Sequence, residues 1–186
     1  MKRQESLVYR TVKSTDVTDP SECGGIELPT SEDPAGQITA KTCAFWTEFR
    51  NFSPDPTAPF LKDFERLAQL ESWSKNEKRK NLVKALNSEI DFHKEDKSTE
   101  LVRWHRLCQE IGVDSKPTSV TGCKRVLHSH KVNLYSLVDH RRNSEISVVC
   151  FGSFEEFAQD IARTGTFPRQ CAKRDGCMRG LLKKMK

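Results

Sequence analysis

Apolar side chains recur every three or four residues along most of this chain, and that spacing predicts a mainly α fold. Two further observations support the prediction. Capping and breaking residues fall between the apolar stripes, and only residues 145–151 concentrate β-branched side chains as a strand does. The expected architecture is a compact multi-helix bundle of about seven helices, built as two linked subregions, 45–113 and 114–186, behind a disordered tail, 1–44.

The tail follows from composition. Hydrophobic residues make up 35% of the chain and charged residues 31%, whereas a typical globular domain is roughly 45 to 50% apolar. The deficit is concentrated in residues 1–41, which are rich in Ser, Thr, Asp, Glu, Pro and Gly, with Asp19-Pro20, Gly24-Gly25 and Asp33-Pro34 breaking any periodicity.

Order is expected from about Thr42. Phe45, Trp46, Phe49 and Phe52 lie on one face of a helix that Thr42 caps, and four aromatics bury a large area for the length ordered. Pro54, Pro56 and Pro59 then impose an extended turn, and Thr57 is expected to cap a helix carrying Phe60, Leu61, Phe64, Leu67 and Ala68. Ser74 and Glu77 spell a capping box for the next stripe, Leu82, Val83, Leu86 and Ile90. Lys75, Lys78, Arg79, Lys80 and Lys84 crowd its first half, where the helix dipole prefers acids, and read as an exposed face. After a polar link, 94–98, Ser98 or Thr99 starts a third stripe of Leu101, Trp104, Leu107, Cys108 and Ile111, which Gly112 closes.

The second subregion begins after residues 114–117. Thr118 or Ser119 opens a helix with Val120, Cys123, Val126 and Leu127, and Asn133 caps another with Leu134, Leu137 and Val138. Their short connection resembles a helix-turn-helix. Residues 145–151 form the strand candidate, and Ser153 with Glu156 makes a second capping box ahead of Phe154, Phe157, Ala158 and Ile161. Pro168 is expected at the first position of a last helix with Ala172, Met178, Leu181, Leu182 and Met185 on one face.

Charge divides unevenly between these parts. Residues 1–50 hold six Lys/Arg against eight Asp/Glu, 51–113 hold eleven of each, and 114–186 hold fourteen against seven. The basicity therefore belongs to the last third, where Asp139, His140, Arg141 and Arg142 form the densest polar cluster, read as an exposed helix end. Seven cysteines with no close pair, and no apolar run at the start or of membrane length, predict an intracellular protein with free thiols, cytoplasmic or nuclear, and no membrane partner.

Catalytic and metal signatures are missing. The nearest approach to a zinc set is Cys108, Cys123, His128 and His130, without the short fixed spacing that assembles a tetrahedral shell. Cys150 or Cys177 with His140 and Asp139 has no spacing that implies a nucleophile and base. No phosphate loop, nucleophile elbow, zinc-protease or calcium motif occurs.

The run Phe49, Asp55 to Phe60, Phe64, Leu67, Trp73 and Arg79, then Trp104, Leu107, Cys108, Gly112, Cys123, Asn133, Leu137 to Asp139, Phe167, Pro168, Ala172, Leu181 and Leu182, resembles a family of uncharacterised proteins of filamentous fungi. The resemblance spans about residues 45–182 and implies one inherited unit after the tail. It brings no activity, cofactor or site residue. The expectation is a non-enzymatic helical domain that binds another protein, with no cofactor, no metal and no small-molecule substrate. The alternative is a nucleic-acid-binding module whose basic last third contacts phosphates through Lys124, Arg125, Lys131, Arg141 and Arg142.

Overall fold

A computed structural model describes residues 42–94 and 98–183. The expected tail, apart from 42–44, the middle of the polar link at 95–97 and Met185 of the expected last helix lie outside the described residues. Among the described residues the chain is mainly helical, with eight α-helices instead of about seven: α1 Ala44–Thr47, α2 Phe60–Leu70, α3 Lys75–Phe92, α4 Glu100–Glu110, α5 Val120–Ser129, α6 Leu134–Arg142, α7 Phe154–Thr164 and α8 Arg169–Asp175. A 3-10 turn follows at Met178–Leu181, and two short strands, β1 Lys131–Val132 and β2 Cys150–Phe151, complete the fold.

Helix α6 occupies the middle. Leu134 through Val138 are all buried, so no face of its first half reaches solvent. Phe60, Phe64 and Leu67 of α2, Leu86 and Ile90 of α3, and Trp104 and Leu107 of α4 all join the same buried cluster as Leu137. Cys171, Met178 and Leu181 join it from the C-terminal end, which makes one core.

The aromatic start differs from expectation in form and agrees in effect. The helix is a single turn, capped by Cys43 and not Thr42. Phe49 and Phe52 reach the cluster through successive i→i+3 turns, Phe49 N to Trp46 O and Phe52 N to Phe49 O. Trp46 stacks on Phe52 at 5.5 Å and Phe49 meets Trp73 edge-on at 5.7 Å.

Thr57 does not cap α2. Its backbone N–H and hydroxyl both donate to the Asp55 carboxylate, which closes a local turn and leaves Pro59 at the cap position. The helix start is satisfied from a distance instead, by Asp139, which accepts the Phe60 N–H at 2.5 Å. Both capping boxes form as expected, Ser74 with Glu77 and Ser153 with Glu156. Thr99 caps α4, Ser119 caps α5 and Asn133 caps α6. Gly112 takes φ 75° and Val113 N reaches back to Cys108 O at 2.8 Å, closing the end of α4.

Three expectations about the second half are corrected. The strand shrinks to Cys150–Phe151 and pairs antiparallel with Lys131–Val132, so the supposed link between α5 and α6 is itself its partner. A strand between those helices replaces the tight turn of a helix-turn-helix. The last helix stops at Asp175, because Gly176 turns left-handed at φ 77° and Asp175 accepts the Met178 N–H, starting a 3-10 turn.

Candidate functional site

The densest polar cluster is interior, which corrects its reading as an exposed helix end. The end of α6 is enclosed by α2, α3 and α8, so adjacent arginines enter two separate networks. Arg142 is 8% exposed and donates to Asp63 Oδ2 at 2.7 Å and to Ala58 O at 3.3 Å. It also lies 3.5 Å from Glu89 Oε1 and against the rings of Trp46 and Phe60. Arg141 is 9% exposed and forks onto both Glu110 oxygens, at 3.0 and 2.9 Å, with a further bond to Asp175 at 2.9 Å. These carboxylates hold its guanidinium charged against the effect of burial.

Around Arg142 the acids behave differently. Burial pushes the pKa of Glu89 up, but bonds from His93 and from Trp46 Nε1, with the charge of Arg142, outweigh it and leave it below the ordinary range. For Asp139 burial prevails over the Phe60 N–H and Arg142, and its pKa is raised. The nearby Cys43 thiol is pushed up to about 11 by burial and stays protonated.

Both arginines are thus withdrawn from the expected phosphate-contacting set. Lys124 and Arg125 remain on the exposed side of α5, with the Lys124 ammonium 5.1 Å above the Trp104 ring. Lys131 is half-buried and donates to Gly152 O at 3.2 Å. These cations do not converge on one groove with Arg141 and Arg142.

The groove with the clearest recognition chemistry lies between α3 and the approach to α8. It encloses about 700 Å³ and is lined by Leu82, Val83, Phe167 and Pro168, with Arg79, Arg169 and Lys173 at its rim. Cys171 packs its thiol toward Val83 O, and Arg174 grips Asp91 bidentately, Nε to Oδ1 at 2.8 Å and Nη2 to Oδ2 at 2.5 Å, which fixes α8 on α3. Gly165, at φ 91°, ends α7 and directs the chain toward Phe167 and Pro168. None of the lining residues is acidic, and Arg79, Arg169 and Lys173 form no ion pair among the described residues. Arg79 was legible as part of the basic face of α3, whereas its meeting with Arg169 and Lys173 depends on tertiary packing.

The other candidates are engaged elsewhere. Cys108 and Cys123 are buried against one another, while His130 turns its ring nitrogen to Val126 O. Among the described residues no group of three metal-ligating side chains forms. His140 contacts Ile146 O, Asp139 serves Phe60, and Cys150 approaches Ile111 O, so the thiol, imidazole and carboxylate each have a different neighbour. Burial raises the Cys150 thiol and pushes Cys177 to about 11.

Fold and groove together define a helical domain with one enclosed core and a basic, apolar-floored surface groove. No family model, no curated protein and no solved structure matches the chain. Among the described residues no helix is long and apolar enough to cross a membrane.

Proposed function

We propose that this chain is a non-enzymatic interaction domain that docks an acidic, apolar-bearing segment of another protein between α3 and α8. One observation carries the reading: an aliphatic floor, Leu82 and Val83 beside Pro168, is bordered by three cations and no carboxylate. Apolar side chains on a partner bury against such a floor, while its carboxylates answer the rim and set orientation. Nucleic acid is the alternative occupant of the basic surfaces. It would find no exposed aromatic ring in this groove on which to stack bases.

The test is fluorescence anisotropy of the full chain with labelled peptides that alternate Asp/Glu with Leu or Phe at helical spacing. Mixed-sequence RNA and scrambled neutral peptides serve as controls. Acidic peptides should bind, and the double variant Arg79→Glu/Lys173→Glu should lose them without a change in melting temperature. Equal binding by the charge-reversed variant, or retention of RNA in preference to every peptide, defeats the reading.

A further inference from the structure

We propose that a second cleft, between α4, α5 and the junction of α8 with the 3-10 turn, binds a small phosphate-bearing molecule. The cleft encloses about 550 Å³, within the roughly 300 to 1,000 Å³ of small-molecule sites. Unlike the α3/α8 groove, it is walled mainly by charged side chains. Its two acids already have partners. Asp175 accepts from Arg141 and from Met178 N, at 2.9 and 2.8 Å, and Glu100 accepts from Trp104 Nε1 at 3.3 Å. Arg174, on the wall, is satisfied by Asp91 outside the cleft.

Arg103 is different. Its Nε is buried with no hydrogen-bond partner, and the guanidinium forms no ion pair among the described residues. A buried N–H without an acceptor is costly, and Arg103 itself is only partly buried, so its head faces the cleft where an anion can reach it. The neighbouring Cys177 thiol, held protonated by burial at a pKa of about 11, is no counter-anion for it. Arg179, exposed on the 3-10 turn, adds a further donor, and the Lys124 ammonium lies at the cleft edge, 5.1 Å above the Trp104 ring and 4.0 Å from Glu100 Oε1. The wall between them is close-packed: a Cβ at Gly180 would lie 3.0 Å from the Trp104 ring. A planar guanidinium beside a second arginine and a lysine suits the tetrahedral oxygens of a phosphate, which accept bidentately.

The experiment is titration of the full chain with sodium phosphate, pyrophosphate and ATP, read by calorimetry and by melting temperature, with sodium chloride at matched ionic strength as control. A saturable rise in melting temperature with at least one phosphate ligand is expected. Inorganic phosphate acting alone identifies the free ion as the source, and ATP acting alone identifies a phosphate ester. Arg103→Met should weaken binding about tenfold or more, the factor carried by a charge-assisted hydrogen bond. Without ligand it should melt no lower than the parent chain, because no partner is orphaned. Should that variant fail to fold, Arg179→Gln, at an exposed position, must still weaken binding. An equal rise with sodium chloride, or unchanged affinity in Arg179→Gln, overturns the proposal.

Discussion

Replacing Arg142 by Met should remove a large share of the stability of this domain, although no active site is touched. The methionine fills much of the volume between Trp46 and Phe60, so packing loss is small and the electrostatic consequence dominates. The guanidinium supplies one charge-assisted bond to Asp63 at 2.7 Å, which is fully buried, and an ion pair to buried Glu89 at 3.5 Å. Such a bond contributes about 1.5 to 3 kcal/mol. Asp63 keeps Arg66 Nη1 at 2.6 Å and the Asp55 N–H, and Glu89 keeps Trp46 Nε1, so neither acid loses its last partner and the loss should stay below the roughly 3 to 5 kcal/mol of a fully stranded charge. Against a folding free energy of about 5 to 15 kcal/mol, that loss is a substantial fraction of the stability. Urea denaturation followed by tryptophan fluorescence measures the loss from the midpoint at constant slope. The double variant Arg142→Met/Asp63→Asn should be more stable than additivity predicts, because both changes remove the same contact, which each single variant has already lost. A loss below about 1 kcal/mol for Arg142→Met, or strict additivity in the double variant, would refute the reasoning.

Three further outcomes are expected. Asp139 has a raised folded pKa, so its contribution is full below its ordinary 3.8 and is lost as pH rises through the folded value. Asp139→Asn, which keeps an acceptor for the Phe60 N–H, should therefore gain on the parent chain between about pH 4 and pH 7, and melting curves at both values test it. Glu89 has the opposite sign: its folded pKa is below the ordinary 4.5, so its stabilisation is present above that value and is lost as pH falls through the folded one. Glu89→Gln should lower stability at neutral pH and flatten the acid limb of a stability–pH profile; an unchanged limb contradicts it. Gly180→Ala should cost about 1 to 3 kcal/mol by overpacking, since the new Cβ would meet Trp104 ring carbons at 3.0 and 3.1 Å; thermal unfolding supplies the check.

Much of the helical layout was legible because it depends on local chemistry. Ser74 and Glu77 sit three residues apart before an apolar stripe, and nothing remote is needed to make that a helix start. Gly112 likewise ends α4 through its own backbone freedom. Expectations failed where a distant residue decided the outcome. Thr57 lost its capping role because Asp55 engages it and Asp139, far along the chain, serves the helix. Residues 145–151 carry strand propensity, but only two of them find a partner, in a segment with no strand signal of its own. The interior acids did leave a trace. Asp63 falls among Phe60, Phe64 and Leu67, and Glu89 between Leu86 and Ile90, so each charge lies on a buried stripe and requires a counter-charge. Arg142 supplies it to both acids from a helix end whose sequence reads as exposed, and Arg66 adds a second pair to Asp63. The α3/α8 groove was half legible, through Arg79, because α8 reaches α3 only once the core has formed.

The consecutive arginines of α6 bear on how the molecule comes apart. One grips acids from α2 and α3 and the other grips acids at the end of α4 and of α8, so none of these four helices can peel away singly. Helix α7 is bound more lightly: Phe157 is its one fully buried residue, and its main neighbours are the two strands, with Asn133 tethering Asp160. Fraying should begin there, and amide protons of α7 should exchange ahead of those riveted by the arginine pair.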